Sequence, residues 1–294
     1  MYSHHLLSLK ASTVSANDCL LRRAVSFDML LHPVALPTTP GYDVVGYVVK
    51  SGLLVDENEY KYGDRVAALV RTGGNARYVS VPASSLVRVP RSCDSAEAAC
   101  MISIYTTAYQ SLKSVSGKSK TFSLEGKRVL VVGAMDPVGQ ALVQLCVKAK
   151  AEMVYATAPI HRHGYVQAVL GATPLPMEIK GWAKYLDGKM DVVFDGEYEN
   201  GMRESQDALA NHGRLVCFGK RSLLNEKELG IFGAPLHAHF DKWQAGQRSN
   251  ITNVDIWECF QEDPVVYKVR VMDCYTFSDF IFKYSIRAHI LCLF

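Results

Sequence analysis

The sequence predicts an α/β protein in two parts, a β-rich domain followed by a doubly wound domain with a mostly parallel sheet. Three observations predict it. Residues up to about 115 hold short β-type runs separated by turns, residues from 128 onwards alternate strand-like and helix-like runs, and the polar stretch KSVSGKSKTFSLEGK lies between them. Strands that alternate with helices pair in parallel, and a ligand crevice forms at their carboxyl ends.

The composition is that of a globular protein and excludes several classes of function. Of the 294 residues, 49% are hydrophobic and 21% are charged. The net charge of +3 is too small to predict nucleic-acid binding or a polybasic membrane patch. No apolar run reaches the roughly 20 residues of a membrane span. The apolar stretch at the start of the sequence is too short for a secretory signal. We therefore expect a cytosolic protein without nucleic-acid or membrane partners.

The eight cysteines are scattered and predict no special site. They form no Cys-x-x-Cys pair, so neither a zinc knuckle nor a disulfide framework is indicated. Reduced and mostly buried thiols are the expectation.

The first part reads as a compact β-barrel-like domain that ends in a helix. Its strand-like runs are YDVVGYVVKSG, YGDRVAALV and ARYVSVPASSLVRVP. The segment DSAEAACMISIYTTAYQSL then predicts a helix, since its apolar residues recur at spacings of three and four, with Asp94 or Ser95 as N-cap.

The second part alternates strands and helices. The predicted strands are RVLVVGA, EMVYATA, MDVVFDG and RLVCFGK. The predicted helices run from the first strand's turn to Lys150, through YVQAVLGA, and through ESQDALANHG.

The segment VLVVGAMDPVGQALVQL has the pattern of a strand, a turn at Gly133 and a helix. In a dinucleotide-binding fold, the N–H groups at such a helix start face the pyrophosphate, and small residues let the backbone come close. Asp136 is a favoured N-cap, and Pro137 has the φ that a first helical position requires. A plain strand–helix junction explains Gly133 and Gly139 as well.

The order of these segments resembles the medium-chain dehydrogenase/reductase superfamily, in particular its zinc-free quinone oxidoreductase (zeta-crystallin-like) branch. The resemblance covers roughly residues 7–268, through phrases such as KASTVSANDCLLRR, PGYDVVGYVVKSG, TTAYQSL and GRLVCFGK. It implies a GroES-like domain over residues 1–115, a Rossmann domain over 116–268, and NADPH held between them. Residues 269–294 form an atypical tail.

The sequence departs from this family pattern in three ways. Zinc alcohol dehydrogenases have a Gly-His-Glu motif where this sequence has Gly41, Tyr42 and Asp43, so no metal is expected. Family members also begin with a strand pair before the KAS segment and end with elements that return to the barrel. We expect a gene model truncated or mis-spliced at both ends, with N-terminal strands missing.

The resemblance assigns the cofactor-binding turn to named residues. Gly133, Ala134, Val138 and Gly139 match the family's Gly-Ala-x-Gly-Gly-Val-Gly, while Asp136 and Pro137 replace its two central glycines. Proline removes an N–H donor. Two like charges about 5 Å apart at an effective dielectric of 20 repel by about 3 kcal/mol, so Asp136 opposes a phosphate.

The end of the second strand favours NADPH over NADH. Thr157, Ala158 and Pro159 stand where an NAD-selective fold places an acidic residue. Thr157 and Arg162, with His161 or His163, can receive a 2′-phosphate, although an exposed His-Arg-His run is more often a solvated helix start.

Few catalytic side chains are expected, because the nicotinamide carries the hydride chemistry. The resemblance places Thr107 near the nicotinamide, and Phe218 and Gly219 along the cofactor. Tyr42 and Tyr105 are candidates to stack on a planar substrate or to donate a proton to it. A helix-interior hydroxyl explains Thr107 equally well, and core packing explains both tyrosines.

Two further patterns bear on the substrate pocket and on the turn. The family's Asn-x-x-Asp becomes Ser15-Ala16-Asn17-Asp18, which keeps the carboxylate and loses the first amide. Asp195, Glu197 and Glu199 gather after a predicted strand, and a solvated loop is the expected setting for them.

The sequence thus favours an NADPH-dependent reductase of quinones or α,β-unsaturated carbonyls that works without zinc, with a homodimer implied by the resemblance. The alternative is a catalytically inactive relative, a binding or scaffold protein with an impaired phosphate turn.

Overall fold

The computed structural model describes residues 3–22, 36–56, 58–116, 123–179, 181–186, 188–197, 203–218, 250–254 and 271. The chain divides into two compact units, the first Met1–Thr106 with Ile256–Phe294 and the second Thr107–Asp255. Of residues 256–294 the structure describes Val271, which is buried. The domain limits expected from the sequence, including the tail from residue 269, stay predictions.

The described strands of the first unit form one antiparallel sheet of five, in the order β4-β1-β2-β3-β5. They are β1 (His4–Ser12), β2 (Asp43–Ser51), β3 (Arg65–Leu69), β4 (Tyr78–Pro82) and β5 (Val87–Arg88). Alternate residues of β1, such as Leu7 and Leu9, are buried and pack with Val44 and Val48 of β2. This alternation is what one buried sheet face requires.

The first unit also contains α1 (Ala16–Arg22), a 3₁₀ turn (Ala83–Ser85), α2 (Ser95–Cys100) and a π-helical segment (Met101–Tyr105). Asp94, one of the two residues predicted as N-cap, is the N-cap of α2. Its side chain accepts the N–H of Ala96 at 2.8 Å, while the Glu97 carboxylate accepts the N–H of Asp94. This reciprocal capping box fixes where the helix begins.

The second unit has a parallel sheet of six described strands, in the order β11-β10-β9-β6-β7-β8. They are β6 (Arg128–Val132), β7 (Met153–Ala158), β8 (Thr173–Pro176), β9 (Met190–Asp195), β10 (Leu209–Phe218) and β11 (Ile251–Val254). β6, β7 and β9 confirm the sequence prediction. A core around Leu130, Tyr155, Val193 and Leu215 packs on the sheet.

The helices of the second unit are α3 (Thr106–Ser116), α4 (Pro137–Lys148), α5 (His163–Tyr165) and α6 (Arg203–Asp207). α5 lies between a 3₁₀ turn (Ile160–Arg162) and a π-helical segment (Val166–Leu170), and a further 3₁₀ turn spans Trp182–Tyr185. Gly171 ends the π segment in the left-handed region, where glycine carries no steric penalty.

Three sequence predictions of local structure were wrong. The helix through ESQDALANHG ends at Asp207, because Leu209 already pairs with Met190 of β9 and the chain continues as strand. The polar linker was expected to begin at Lys113, but residues 113–116 are the last residues of helix α3. The strands β8 and β11 were not predicted. β8 contains two prolines, and proline has a low propensity for strands.

Candidate functional site

The turn after β6 is held by the end of the neighbouring strand β7. Gly133 has a φ of +85°, in the left-handed region that favours glycine. Its N–H donates to Oγ1 of Thr157 at 2.9 Å, and the N–H of Ala134 donates to the Thr157 carbonyl oxygen at 3.0 Å. Thr157 is only 1% exposed. Its hydroxyl is therefore part of the turn rather than a surface group.

Helix α4 begins as its sequence predicts. Asp136 is the N-cap and accepts the N–H of Val138 on Oδ1 at 2.9 Å, and Pro137 follows at the first helical position. A Cβ on Gly139 would lie 2.2 Å from the carbonyl oxygen of Gly133. The absence of a side chain at Gly139 is what lets the helix pack this closely on the turn.

The same geometry uses up several of the donors that an anion would need. A helix start attracts an anion through unpaired N–H groups. Here Gly133 and Ala134 donate to Thr157, Asp136 donates to the carbonyl oxygen of Gly133, and Val138 donates to the Asp136 side chain. Pro137 has no N–H. Gly133 and Gly139 would let a phosphate approach the backbone closely, but these four N–H groups already bond within the protein.

A second carboxyl group reaches the turn from β9. In the parallel register Val132 lies beside Asp195, so β6 and β9 leave the sheet together. A Cβ on Gly133 would lie 2.7 Å from Oε1 of Glu197. Asp195 is 2% exposed and Glu197 9%. The solvated loop predicted for these residues was wrong for both, because their side chains pack at the sheet edge; Glu199 lies outside the described residues.

The end of β7 carries a cluster of charged groups. Arg162 and His163 are half-buried and His161 is exposed. The exposed carboxylate of Glu178 accepts the N–H of Ile160 at 3.0 Å. Backbone N–H donors, first its own and then that of Ile160, lower the pKa of Glu178, and the two histidines lower it further. Glu178 could not be predicted here from the sequence, because it follows the end of β8, a strand that was itself not predicted.

Phe218 and Gly219 were predicted to lie along the cofactor. Phe218 is the last residue of β10 and is 1% exposed. Its ring packs on Gly196, where a Cβ would lie 2.7 Å from Cε2 of the phenylalanine. Gly219 lies outside the described residues, and its role stays a prediction.

In the first unit, Tyr42 belongs to a hydrogen-bonded group with Ser15 and Asp18. The Tyr42 hydroxyl bonds to Oγ of Ser15. Ser15 donates its N–H to Oδ2 of Asp18 at 2.7 Å and its hydroxyl to the same oxygen at 3.3 Å, and Gly41 donates its N–H to Oδ1 at 2.7 Å. Asp18 is buried and Tyr42 is half-buried. A partly accessible phenol is thus backed by a buried carboxyl group.

Asp43, next to Tyr42, has a buried carboxyl group. Oδ2 accepts the hydroxyls of Thr13 at 2.7 Å and of Ser103 at 2.6 Å. Oδ1 is inaccessible to solvent and has no hydrogen-bond partner among the residues that the structure describes. Burial raises the pKa of Asp43 to about 7, although the two hydroxyl bonds oppose the rise. Around neutral pH this group can hold or release a proton.

The other two predicted catalytic residues lie in helical segments. Tyr105 ends the π segment and is 1% exposed. Thr107 is 7% exposed, and its carbonyl oxygen accepts the hydroxyl of Ser111. Both positions suit core packing, and their catalytic roles stay predictions.

Neither a metal cluster nor a membrane helix is found in the described part of the chain. Among these residues, no three His, Cys, Asp or Glu side chains come together as a metal ion would require. None of their helices is both long and apolar enough to cross a bilayer.

Comparison with known proteins finds a family model that matches part of the chain, and several relatives. The model of the alcohol dehydrogenase GroES-like domain matches residues 3–91. The quinone-oxidoreductase homolog of spinach chloroplasts is 34% identical over 156 residues, which are 52% of this chain and 45% of that protein. The NADPH-dependent alkenal/one oxidoreductase of Arabidopsis thaliana chloroplasts is 35% identical over 170 residues, 54% of this chain and 42% of that protein.

The chain is a homologue of medium-chain dehydrogenase/reductase proteins. It spans about half or less of the length of the curated relatives it matches. The solved structure of the JamJ enoyl reductase, in its apo form, has the same fold, with a TM-score of 0.74 at 22% identity over 94% of this chain and 80% of that one. The family resemblance and the fold class that the sequence of this chain predicted are confirmed.

Proposed function

We propose that this chain is an oxidoreductase that uses NADPH, without zinc, to reduce a quinone or an α,β-unsaturated carbonyl. The observation that carries the proposal is the turn of Gly133, fixed by Thr157 and packed on Gly139 at the carboxyl end of a parallel sheet. A tight glycine turn between a strand and a helix is what a dinucleotide site of this kind requires, and this supports the proposal. The names of the two chloroplast relatives support the nicotinamide cofactor and the class of substrate.

The residues of the turn would hold the diphosphate of the cofactor. Gly133 and Gly139 allow close approach of the backbone, and the helix dipole of α4 favours a negative charge at its start. Arg162 and the histidines beside it would bind the 2′-phosphate. When bound, the cofactor supplies a hydride.

Tyr42 would supply the proton that completes the reduction. When the β-carbon of an enone gains a hydride, the substrate becomes an enolate, whose negative charge lies mainly on the carbonyl oxygen. A proton on that oxygen gives the enol, which tautomerises to the saturated carbonyl. The Tyr42 hydroxyl can donate that proton, and its bond to Ser15 links it to the Asp18 carboxyl. Tyr42 stands where zinc alcohol dehydrogenases carry a histidine ligand, which supports zinc-independent chemistry.

The proposal is tested by adding NADPH to the purified full chain, following cofactor fluorescence, and then measuring NADPH consumption with a quinone and with an enone. Tyr42→Phe should lower kcat at least tenfold and leave the Kd for NADPH unchanged, because only the proton donor is lost. Tyr78→Phe, at an exposed tyrosine, is the matched control. Equal turnover by both variants would remove Tyr42 from the mechanism.

A second candidate function is a non-catalytic binding or scaffold protein. Pro137 and the Asp136 side chain reduce the donors of the turn, which favours this alternative. NADPH binding without consumption of either substrate would support it over the reductase.

The proposed setting is a reducing compartment such as the cytosol, with a homodimer as the working form. The described cysteines, Cys19, Cys93, Cys100, Cys146 and Cys217, are all free thiols. Burial raises the pKa of Cys146, which keeps it protonated and unreactive. Free thiols are usual where glutathione keeps proteins reduced.

A further inference from the structure

The Glu197 side chain lies against the part of the turn where a diphosphate would have to approach. The distance from its Oε1 to an ideal Cβ on Gly133 is 2.7 Å, and its Cγ lies 3.1 Å from the same point. Gly133 has no side chain, and the carboxyl group of Glu197 fills that space. This contact is set by the parallel register of β6 and β9, which carries both residues to one edge of the sheet.

Glu197 is buried beside a second carboxyl group. Asp195 accepts the N–H of Glu197 on Oδ1 at 2.9 Å and the hydroxyl of Ser205 on Oδ2 at 2.6 Å. Both acidic side chains are more than nine-tenths buried. Charges interact more strongly where water is excluded, so a negative group there repels an incoming anion more than an exposed one would.

Asp136 is more exposed than Glu197. Its side chain is half-exposed, and its Oδ1 is bound to the N–H of Val138 at the start of α4. The helix dipole compensates a carboxylate in that position, and water screens what remains. The charge of Asp136 is thus partly neutralised by its own helix.

We propose that the carboxyl group of Glu197, more than that of Asp136, limits the affinity of this turn for a diphosphate. The inference rests on the proposed function, since it concerns the same turn. Glu197, which follows β9 and lies against Gly133, would then set the affinity for the cofactor.

The test compares three variants of the full chain, each of which removes one charge and keeps the side-chain shape: Glu197→Gln, Asp136→Asn and Glu152→Gln. Glu152 is exposed and precedes β7, at the opposite end of the strands, so it is the matched control. The Kd of ADP is measured by calorimetry, because ADP carries a diphosphate without nicotinamide, and the Kd of NADPH by fluorescence. Thermal unfolding of each variant verifies that it is folded.

We expect Glu197→Gln to tighten the binding of both ligands about tenfold or more, Asp136→Asn to change it less than threefold, and Glu152→Gln to leave it unchanged. The proposal is overturned by equal Kd values in Glu197→Gln and the parent chain, by a larger effect of Asp136→Asn, or by a lack of ADP binding in every protein. Glu197→Ala separates charge from space, since a gain in Glu197→Ala alone would assign the effect to volume and overturn the proposal.

The proposed reductase fails in a different way. If Glu197→Gln binds ADP and NADPH more tightly but no variant consumes NADPH with a quinone or an enone, the role of Glu197 stands and the reductase does not.

Discussion

Gly133 and Thr157 are joined by a buried hydrogen bond, in which the N–H of the glycine donates to the threonine Oγ1 at 2.9 Å. The bond connects the turn after β6 to the carboxyl end of β7, where Thr157 lies. Because the Ala134 N–H bonds to the backbone of the same threonine, one residue fixes two successive peptide groups. The path of the turn therefore depends on a side chain from another strand.

Replacing Thr157 by valine should destabilise the second unit. Valine has nearly the same shape but no acceptor, so the N–H of Gly133 would be buried without a partner, at a cost of roughly 1–3 kcal/mol. Urea unfolding measures this change in the free energy of unfolding. Thr157→Ser keeps the acceptor and should lose less; equal loss in both variants would show that the hydroxyl contributes nothing.

A methyl group at Gly139 should be much more costly than one at Gly164. The Cβ of Gly139→Ala would meet the backbone oxygen of Gly133 at 2.2 Å, and relieving that overlap costs roughly 1–3 kcal/mol or more. A Cβ on Gly164 meets nothing within 4 Å, so Gly164→Ala should be neutral or stabilise the short helix α5 by about 0.5–1 kcal/mol. Similar melting temperatures for the two variants would contradict the close packing.

Asp43 should make the first unit less stable as the pH rises towards neutrality. Its pKa is raised from 3.8 to about 7 in the folded chain. Between these values the folded chain keeps a proton that the unfolded chain has lost, so the free energy of unfolding decreases as the pH increases from about 4 to about 7. Asp43→Asn should lack this component in urea unfolding measured across that range.

Asp64 provides the control for this pH dependence. A hydrogen bond from the Lys61 backbone lowers the pKa of Asp64, and Arg88 lowers it further. Its contribution to stability is therefore lost only as the pH falls through that lowered value. Asp64→Asn should leave the slope above about pH 5 unchanged, and a change there as large as that of Asp43→Asn would refute the assignment to Asp43.

The parts of the site that local chemistry determines could be predicted from the sequence. Asp136 and Pro137 start α4 where an N-cap and a first-turn proline belong, and Asp94 caps α2 for the same reason. These features need only neighbouring residues.

The residues that long-range pairing brings to the site could not be predicted in the same way. Glu197 reaches Gly133 through the register of two parallel strands, and Glu178 reaches Ile160 from the end of β8. The helical pattern after Glu204 was misleading because pairing with β9 draws Leu209 into a strand. Tertiary context overrides propensity at such places.

The prolines of β8 have a consequence for how the chain meets its neighbours in a crowded solution. The N–H of Met177 points to Ala158 of β7, so the N–H positions of residues 174 and 176 point the other way, towards the outer rim of the sheet that the described strands form. Both positions are proline and have no hydrogen to donate. A foreign strand added beside β8 would find carbonyl groups but no amide donors there, and this rim is consequently guarded against aggregation by strand addition.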